Sequence, residues 1–275
     1  MANWHFANFG DVWKHLPLAE VLRLRPAAQY WETHAGSAMY ELTSSPTRAH
    51  GACRFLSEAP TDPVLSASEY LDALRANPGI YPGSAALAVR VLGNRCRYLL
   101  GDIDPESAMS LRAMGHALRL DLRVTEGDGV STIHGEAAVT NARPTDVLVH
   151  IDPYDPFERR MPDALAPIEL AGELAARGYR LFYWYGYESV DDRGWAKSEI
   201  SRRAPQVGVW CGDMLVPSPF VFPERPGAWG CGIVLANMTG VEAAMCQRLG
   251  TALERICKKD RLVGNEPPVA RFDVM

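Results

Sequence analysis

The run Asp146-Val147-Leu148-Val149-His150-Ile151-Asp152-Pro153 decides how the rest of the chain is read. Its middle is continuously apolar and rich in β-branched residues, with no alternation. That pattern belongs to a strand covered on both faces, as in a parallel sheet between helices. The strand expected at Asp146 to Ile151 then stops at an acid and a proline. An acid at the tip of a buried strand must find a partner or face a cleft, because an unpaired charge is expensive to bury. The proline has a fixed φ and no N–H, and holds the chain for a turn. A carboxylate beside an outward-facing carbonyl can accept two hydrogens from one amine and so aim the nitrogen lone pair at an electrophile.

Working outward, the same form recurs. Gln29 to Glu32 is a short aromatic strand running into Thr33-His34-Ala35-Gly36. Tyr98 to Leu100 ends in Gly101-Asp102-Ile103-Asp104, and Leu122 to Val124 ends in Glu126-Gly127-Asp128-Gly129. Further strands are expected at Arg180 to Tyr185, Gly208 to Val216 and Cys231 to Ala236, with a proline-rich loop between the last two. Helices are expected between them. Asp11 to Arg25 carries Val12, Leu16, Ala19 and Leu22 at helical spacing, with Pro17 as a kink or restart. Pro105 to Arg119 follows a capping Asp104. Ala164 to Arg177 and Val241 to Lys258 complete the set. Strand–helix alternation predicts an α/β fold with a mainly parallel sheet and helices on both faces. Residues 43–82 break the rhythm with five prolines and a helical stretch near Ser66 to Arg75. They read as a small helical insertion within one domain spanning 1–275.

Composition excludes some function classes. The chain has 275 residues, 47% hydrophobic and 22% charged, enough for a sizeable core. Its 28 basic and 33 acidic residues give a net charge of −5, unlike a strongly basic nucleic-acid binder. No apolar run reaches membrane-spanning length, and the first residues lack a secretory signal pattern. The six cysteines form no C-x-x-C pair and read as buried free thiols of a cytoplasmic protein. The seven histidines form no metal-like cluster, and no catalytic metal is expected.

In open α/β sheets, ligands bind outside the carboxyl ends of the strands. One glycine turn and three strand-end acids therefore make a candidate site. Gly36 is either a plain turn or a place of close backbone approach. Asp102 either caps the next turn or accepts two ribose hydroxyls. Asp128 is either a turn residue between glycines or a contact for an adenine amine. The aromatic run Phe182 to Tyr185 is core strand, with a carboxyl end that could line a pocket.

These blocks, in this order, resemble the bacterial 23S rRNA adenine-N6 methyltransferase family, the RlmJ family. They are Asp11-Val12-Trp13-Lys14-His15, Thr33-His34-Ala35-Gly36, Tyr81-Pro82-Gly83-Ser84, Asp128-Gly129 and Ile151-Asp152-Pro153. The similarity runs from about residue 5 to residue 237. The resemblance implies a class I methyltransferase, Rossmann-like fold with a seven-stranded sheet, and S-adenosyl-L-methionine as cofactor. His15, His34, Gly36, Asp102, Asp128 and Gly129 would contact the cofactor. Asp152, Pro153 and Tyr154 would be catalytic, and Trp4, His5 and Lys14 would lie near substrate. The insertion would help to hold substrate.

The chain departs from the family where the substrate is held. The family motif reads Asp-Pro-Pro-Tyr, and here it reads Asp152-Pro153-Tyr154-Asp155. The stacking aromatic of the fourth position is replaced by an acid, leaving Tyr154 or Phe157 to substitute. Arg159 and Arg160 are the nearest basic pair, or else a solvated helix start. Two main readings follow: methylation of an adenine in RNA, and a family member retooled for a small-molecule or peptide amine. Cyclisation or cleavage of the cofactor itself, and cofactor binding without turnover, are further alternatives.

Overall fold

Val147–Ile151 is a strand buried along its whole length, and a large sheet is built around it and Gln29–Glu32. The computed structural model describes residues 6–216, 229–258 and 270–275. In chain order its strands are β1 (Gln29–Glu32), β2 (Met39–Glu41), β3 (Ile80–Pro82), β4 (Arg97–Asp102), β5 (Asp121–Glu126), β6 (Val147–Ile151), β7 (Arg180–Tyr187), β8 (Val209–Val216), β9 (Trp229–Ala236) and β10 (Arg271–Val274). The helices are α1 (Phe9–Leu24), α2 (Pro46–Arg48), α3 (Arg54–Glu58), α4 (Glu69–Ala76), α5 (Ser84–Leu92), α6 (Pro105–Leu118), α7 (Gly129–Val139), α8 (Pro167–Ala176), α9 (Trp195–Arg203) and α10 (Gly240–Cys257).

The main sheet has the order β10-β8-β9-β7-β6-β1-β4-β5. The five strands from β7 to β5 are mutually parallel, whereas β9 runs antiparallel to both β7 and β8. The order reverses direction at β1, where β4 and β5 lie on one side and β6 and β7 on the other. In such sheets the crevice at the reversal receives ligands. Helices α1, α5, α6 and α10 pack on one face, and α7, α8 and α9 on the other, each with its own apolar cluster. This is the mainly parallel α/β fold expected from the alternation. The sheet carries an eighth strand beyond the seven anticipated, because β10 adds antiparallel to the outer edge of β8.

Local chemistry explains the elements that position the site. Asn8 caps α1 through a reciprocal pair: its side chain accepts from the Asp11 backbone, and the Asp11 side chain accepts from the Asn8 backbone. The helix continues through Pro17 without a break, although an internal proline costs ~3 kcal/mol. Burial of nearly the whole helix surface offsets that cost. Helix α8 begins three residues later than expected, because Pro167 takes its first position and the Glu169 carboxylate accepts from Ala166 N.

Residues 43–82 form α2, α3, α4, short tight turns and β3. An antiparallel β2–β3 ribbon closes the segment at its base, pairing Met39 with Pro82 and Glu41 with Ile80. Its apolar residues Phe55, Leu65, Tyr70 and Leu71 join the same cluster as α1 and α10. All six cysteines are free thiols; five are buried, but Cys53 is exposed. Among the described residues, no helix is long and apolar enough to cross a membrane. The expected proline-rich loop lies outside the described residues.

Candidate active site at the carboxyl edge of the sheet

Lys14 projects from α1 to the tip of β6, where its Nζ lies 2.5 Å from Asp152 Oδ2. The same ammonium lies 3.0 Å from Asp11 Oδ1, one helical turn back, and 5.5 Å from the Trp184 ring centroid. The Lys14 and Asp152 side chains are 9% and 16% exposed. Burial opposes the Lys14 charge, but Asp152 and Asp11 overcome it and raise its pKa. Burial also opposes the Asp152 charge, yet Lys14 and His150 hold this carboxyl below its ordinary range. Asp11 goes the other way: burial raises it despite Lys14. Asp152 Oδ1 accepts no hydrogen bond from a described residue, so one side of this buried carboxylate is held and the other is open to a donor.

Asp102, the last residue of β4, is 6% exposed. Its Oδ2 accepts from Gly36 N at 2.7 Å and its Oδ1 from Asp104 N at 2.8 Å. It therefore ties the loop after β1 to the turn before α6. Burial raises its pKa, and these backbone bonds pull it back. Each oxygen keeps a second acceptor position. Gly36 has φ +61°, and a Cβ there would strike the Tyr40 hydroxyl. That hydroxyl accepts from Ser37 N at 2.8 Å, fixing the turn. His34 lies among the strand-end acids. Burial lowers its pKa, against Asp152, Asp102 and Asp128, which all pull it upward. Its Nδ1 is 2.7 Å from Thr33 Oγ1.

Asp128 and Gly129 have structural employment that their sequence setting did not reveal. Asp128 is the N-cap of α7, accepting from Val130 N and Ser131 N and from the Ser131 hydroxyl. Gly129 is demanded by packing: a Cβ there would collide with the Thr33 carbonyl oxygen. A Cβ on Gly101 would in turn stand 2.6 Å from Gly129 Cα. These two glycines let β4, the start of α7 and the end of β1 close on one another.

His15 is 3% exposed and is placed in the core, not among the strand-end acids. Its Nδ1 meets the Tyr81 hydroxyl at 2.7 Å, and that hydroxyl meets Tyr70 at 3.2 Å. Burial, then the charge of Lys14, holds its imidazole well below the ordinary value. Trp4 and His5 lie outside the described residues. Just after them, Phe6 stacks on Tyr40 at 4.5 Å and the Arg48 guanidinium lies 4.0 Å from the Phe6 ring centroid, anchoring the chain beside the β1 turn.

Beyond Asp152, Pro153 is buried and Tyr154 is 94% exposed. Asp155 is exposed, and its Oδ1 accepts from Phe157 N. Phe157 packs on Trp195 at 5.2 Å. Arg159 is paired with Glu169 and Arg160 with Glu158.

Sequence reading missed two groups. Asp11 completes the Lys14 cluster, and the Asp11-x-x-Lys14 spacing on one helix face was its available signal. Beneath the site, fully buried Glu32 accepts from Ser84 Oγ at 2.5 Å and lies 2.8 Å from His150 Nδ1. Tyr30 joins both. The pair unites β1, β6 and α5, and His150 stands out as the one polar residue in an otherwise apolar strand. Among the described residues, no group of three His, Cys, Asp or Glu is placed to hold a metal ion.

No family model and no curated protein matches this sequence. Among solved structures, protein LPL1258 from Legionella pneumophila str. Philadelphia 1, described under the family model DUF519, superposes with a TM-score of 0.74. It is 20% identical, over 98% of this chain and 98% of that one, and it shares the fold. Aeropyrum pernix fibrillarin, solved with natively bound S-adenosyl-L-methionine, matches 55% of this chain and 60% of its own at 14% identity. Its TM-score of 0.35 is too low to bear on this chain's chemistry.

Proposed function

We propose that this chain is an S-adenosyl-L-methionine-dependent N-methyltransferase that methylates an amine held at Asp152. The observation that carries this reading is the half-occupied carboxylate: Lys14 holds Oδ2, and Oδ1 is left for the acceptor. Support for the cofactor comes from the donor set. Asp102 offers acceptor positions suited to ribose hydroxyls, beside a tight turn at Gly36. The surrounding acids suit a cationic sulfonium.

Held by Asp102 and the turn at Gly36, S-adenosyl-L-methionine would supply an electrophilic methyl group to the amine lone pair and leave as a neutral thioether. The chain's own residues do the positioning. Asp152 Oδ1 accepts an N–H of the acceptor, fixing the direction of the lone pair. Nucleophilic attack requires a neutral nitrogen, and the Lys14 ammonium offsets the Asp152 charge that would otherwise favour a protonated amine. The extra proton on the methylated nitrogen then leaves to Asp152 or water. Orientation of this kind accounts for a large share of the rate, because the electrophile is already activated.

The resemblance to the rRNA adenine-N6 family supports the exocyclic amine of adenine in 23S rRNA as an acceptor. Such a base would be flipped from its stack to reach Asp152, with exposed Tyr154 available to stack on it. The test is Asp152→Ala, with cofactor affinity followed by calorimetry and S-adenosylhomocysteine formation by mass spectrometry. Affinity stays nearly unchanged and turnover is abolished. Unaltered turnover removes Asp152 from the mechanism.

A further inference from the structure

The Lys14 ammonium has one hydrogen left to give. An ammonium carries three N–H donors and no acceptor. One donates to Asp152 Oδ2 at 2.5 Å, and a second faces Asp11 Oδ1 at 3.0 Å. The third has no hydrogen-bond acceptor among the described residues. The Lys14 side chain is only 9% exposed, and a buried donor is costly to leave unmade. Burial opposes its charge, but the two acids keep it protonated, so it remains a donor.

The neighbouring surface is aromatic. Strands β6 and β7 are parallel, with Ile151 beside Tyr183, and both of those side chains join the apolar cluster of α7, α8 and α9. The next residues, Asp152 and Trp184, therefore turn to the opposite face of the sheet, where α1 lies. Lys14 reaches both from α1. It contacts Asp152 directly and stands 5.5 Å from the Trp184 ring centroid. Trp184 is partly exposed. A carboxylate acceptor, an ammonium donor and an indole ring thus meet at the tips of β6 and β7.

An acceptor beside a donor is the complement of an amidine edge, in which an amino group and an unprotonated ring nitrogen share one carbon. Amino-substituted purines and pyrimidines carry this edge, and side-chain amides read adenine by the same donor–acceptor logic. An aliphatic amine has no such ring nitrogen and leaves the third N–H of Lys14 unmatched. Resting on the reading of Asp152 as an amine site, we infer that Lys14 selects the acceptor: its third N–H donates to the ring nitrogen adjoining the reacting amine, while Asp152 Oδ1 accepts from the amine and Trp184 lines the ring. A site built to make this bond rejects an analogue that lacks the nitrogen. The chemistry is shared by a free nucleoside and by a base flipped from RNA.

The test compares adenosine with 1-deazaadenosine, in which a C–H replaces the adjoining ring nitrogen. Each is offered to the full chain as the free nucleoside and as the single purine of a short all-uridine RNA, with 1,6-diaminohexane as the aliphatic control. Binding is read by calorimetry, and S-adenosylhomocysteine release by mass spectrometry. The adenosine form binds at least about tenfold tighter than the deaza form in whichever context supplies the acceptor, as a hydrogen bond from a charged donor requires. The diamine neither binds nor reacts. Lys14→Met brings the ratio to about one, whereas Trp184→Ala weakens both forms alike. The inference is overturned by a ratio near one in the unsubstituted chain, by a ratio that survives Lys14→Met, by reaction of the diamine alone, or by binding of neither adenosine form. The first of these needs no variant, so it stands even where Lys14→Met fails to fold. Failure of the chain to bind S-adenosyl-L-methionine overturns the methyltransferase reading instead, and Lys14 is then judged by the binding ratio measured without cofactor.

Discussion

Replacing Lys14 with methionine removes one charge that compensates two carboxylates. Its Nζ lies 2.5 Å from Asp152 and 3.0 Å from Asp11, with all three side chains largely buried. Removing one partner of a buried ion pair costs about 3–5 kcal/mol, because the remaining charge is stranded. The loss depends on pH, and its sign follows from the shifts. Asp152 is depressed in the folded protein, so it contributes stability above its unfolded value of ~3.9, lost as pH falls through the folded value. Asp11 is raised, so its contribution is present below the unfolded value and is lost as pH rises through the folded one. In Lys14→Met, Asp152 loses its depression and joins Asp11 in the raised sense. The deficit is then greatest at neutral pH and shrinks as both carboxyls protonate on acidification. Urea unfolding of both proteins at pH 7 and pH 4, followed by tryptophan fluorescence, measures it. A deficit below about 1 kcal/mol at pH 7, or one equally large at pH 4, refutes the reasoning.

Other substitutions test separate parts of the site. Gly129→Ala pushes α7 away from the Thr33 carbonyl and costs about 1–3 kcal/mol, seen as a lowered Tm; an unchanged Tm removes the close-approach argument. Asp102→Ala strands the part-buried Gly36 and Asp104 amides, costing about 1–3 kcal/mol in all and weakening cofactor binding. Calorimetry showing wild-type cofactor affinity removes Asp102 from that role. Tyr183→Phe deletes a buried hydroxyl that has no partner among the described residues and stabilises the fold by about 1 kcal/mol. Destabilisation in the same unfolding assay means the hydroxyl has a partner.

The sheet was legible because its strands end in a repeated way, each apolar run closing on an acid or a glycine at Gly36, Asp102, Asp128 and Asp152. Helix α5, with the sequence Ser-Ala-Ala-Leu-Ala-Val-Arg-Val-Leu, was not. It is only nine residues long, has no side-chain N-cap, and follows directly on the proline-rich insertion, so nothing marked it off from that segment. Strands β2 and β3 are three residues long and escape any pattern. In the site, Asp152 was readable from its own neighbours, but its partner stands 138 positions away, and no local spacing joins them. Gly129 shows the converse. Its reason is the backbone of Thr33, a contact made only once two strands and a helix have assembled. His15 was placed by family resemblance, while burial among tyrosines needed the insertion to be folded over α1.

The small β2–β3 ribbon has a consequence for how the chain reaches its native state. Central strand β1 must pair with β4, whose first residue is 68 positions further on at Arg97. Joining ends that far apart carries an entropic penalty that grows with the logarithm of the separation. Once Met39 has paired with Pro82, the insertion is pinched off. The chain remaining between Glu32 and Arg97 then spans only about a third of that distance, lowering the penalty by about 1 kcal/mol. Ribbon pairing first therefore divides one long closure into two shorter ones. Substituting the Tyr40–Tyr81 pair should slow refolding more than it speeds unfolding, marking the ribbon as part of the folding nucleus.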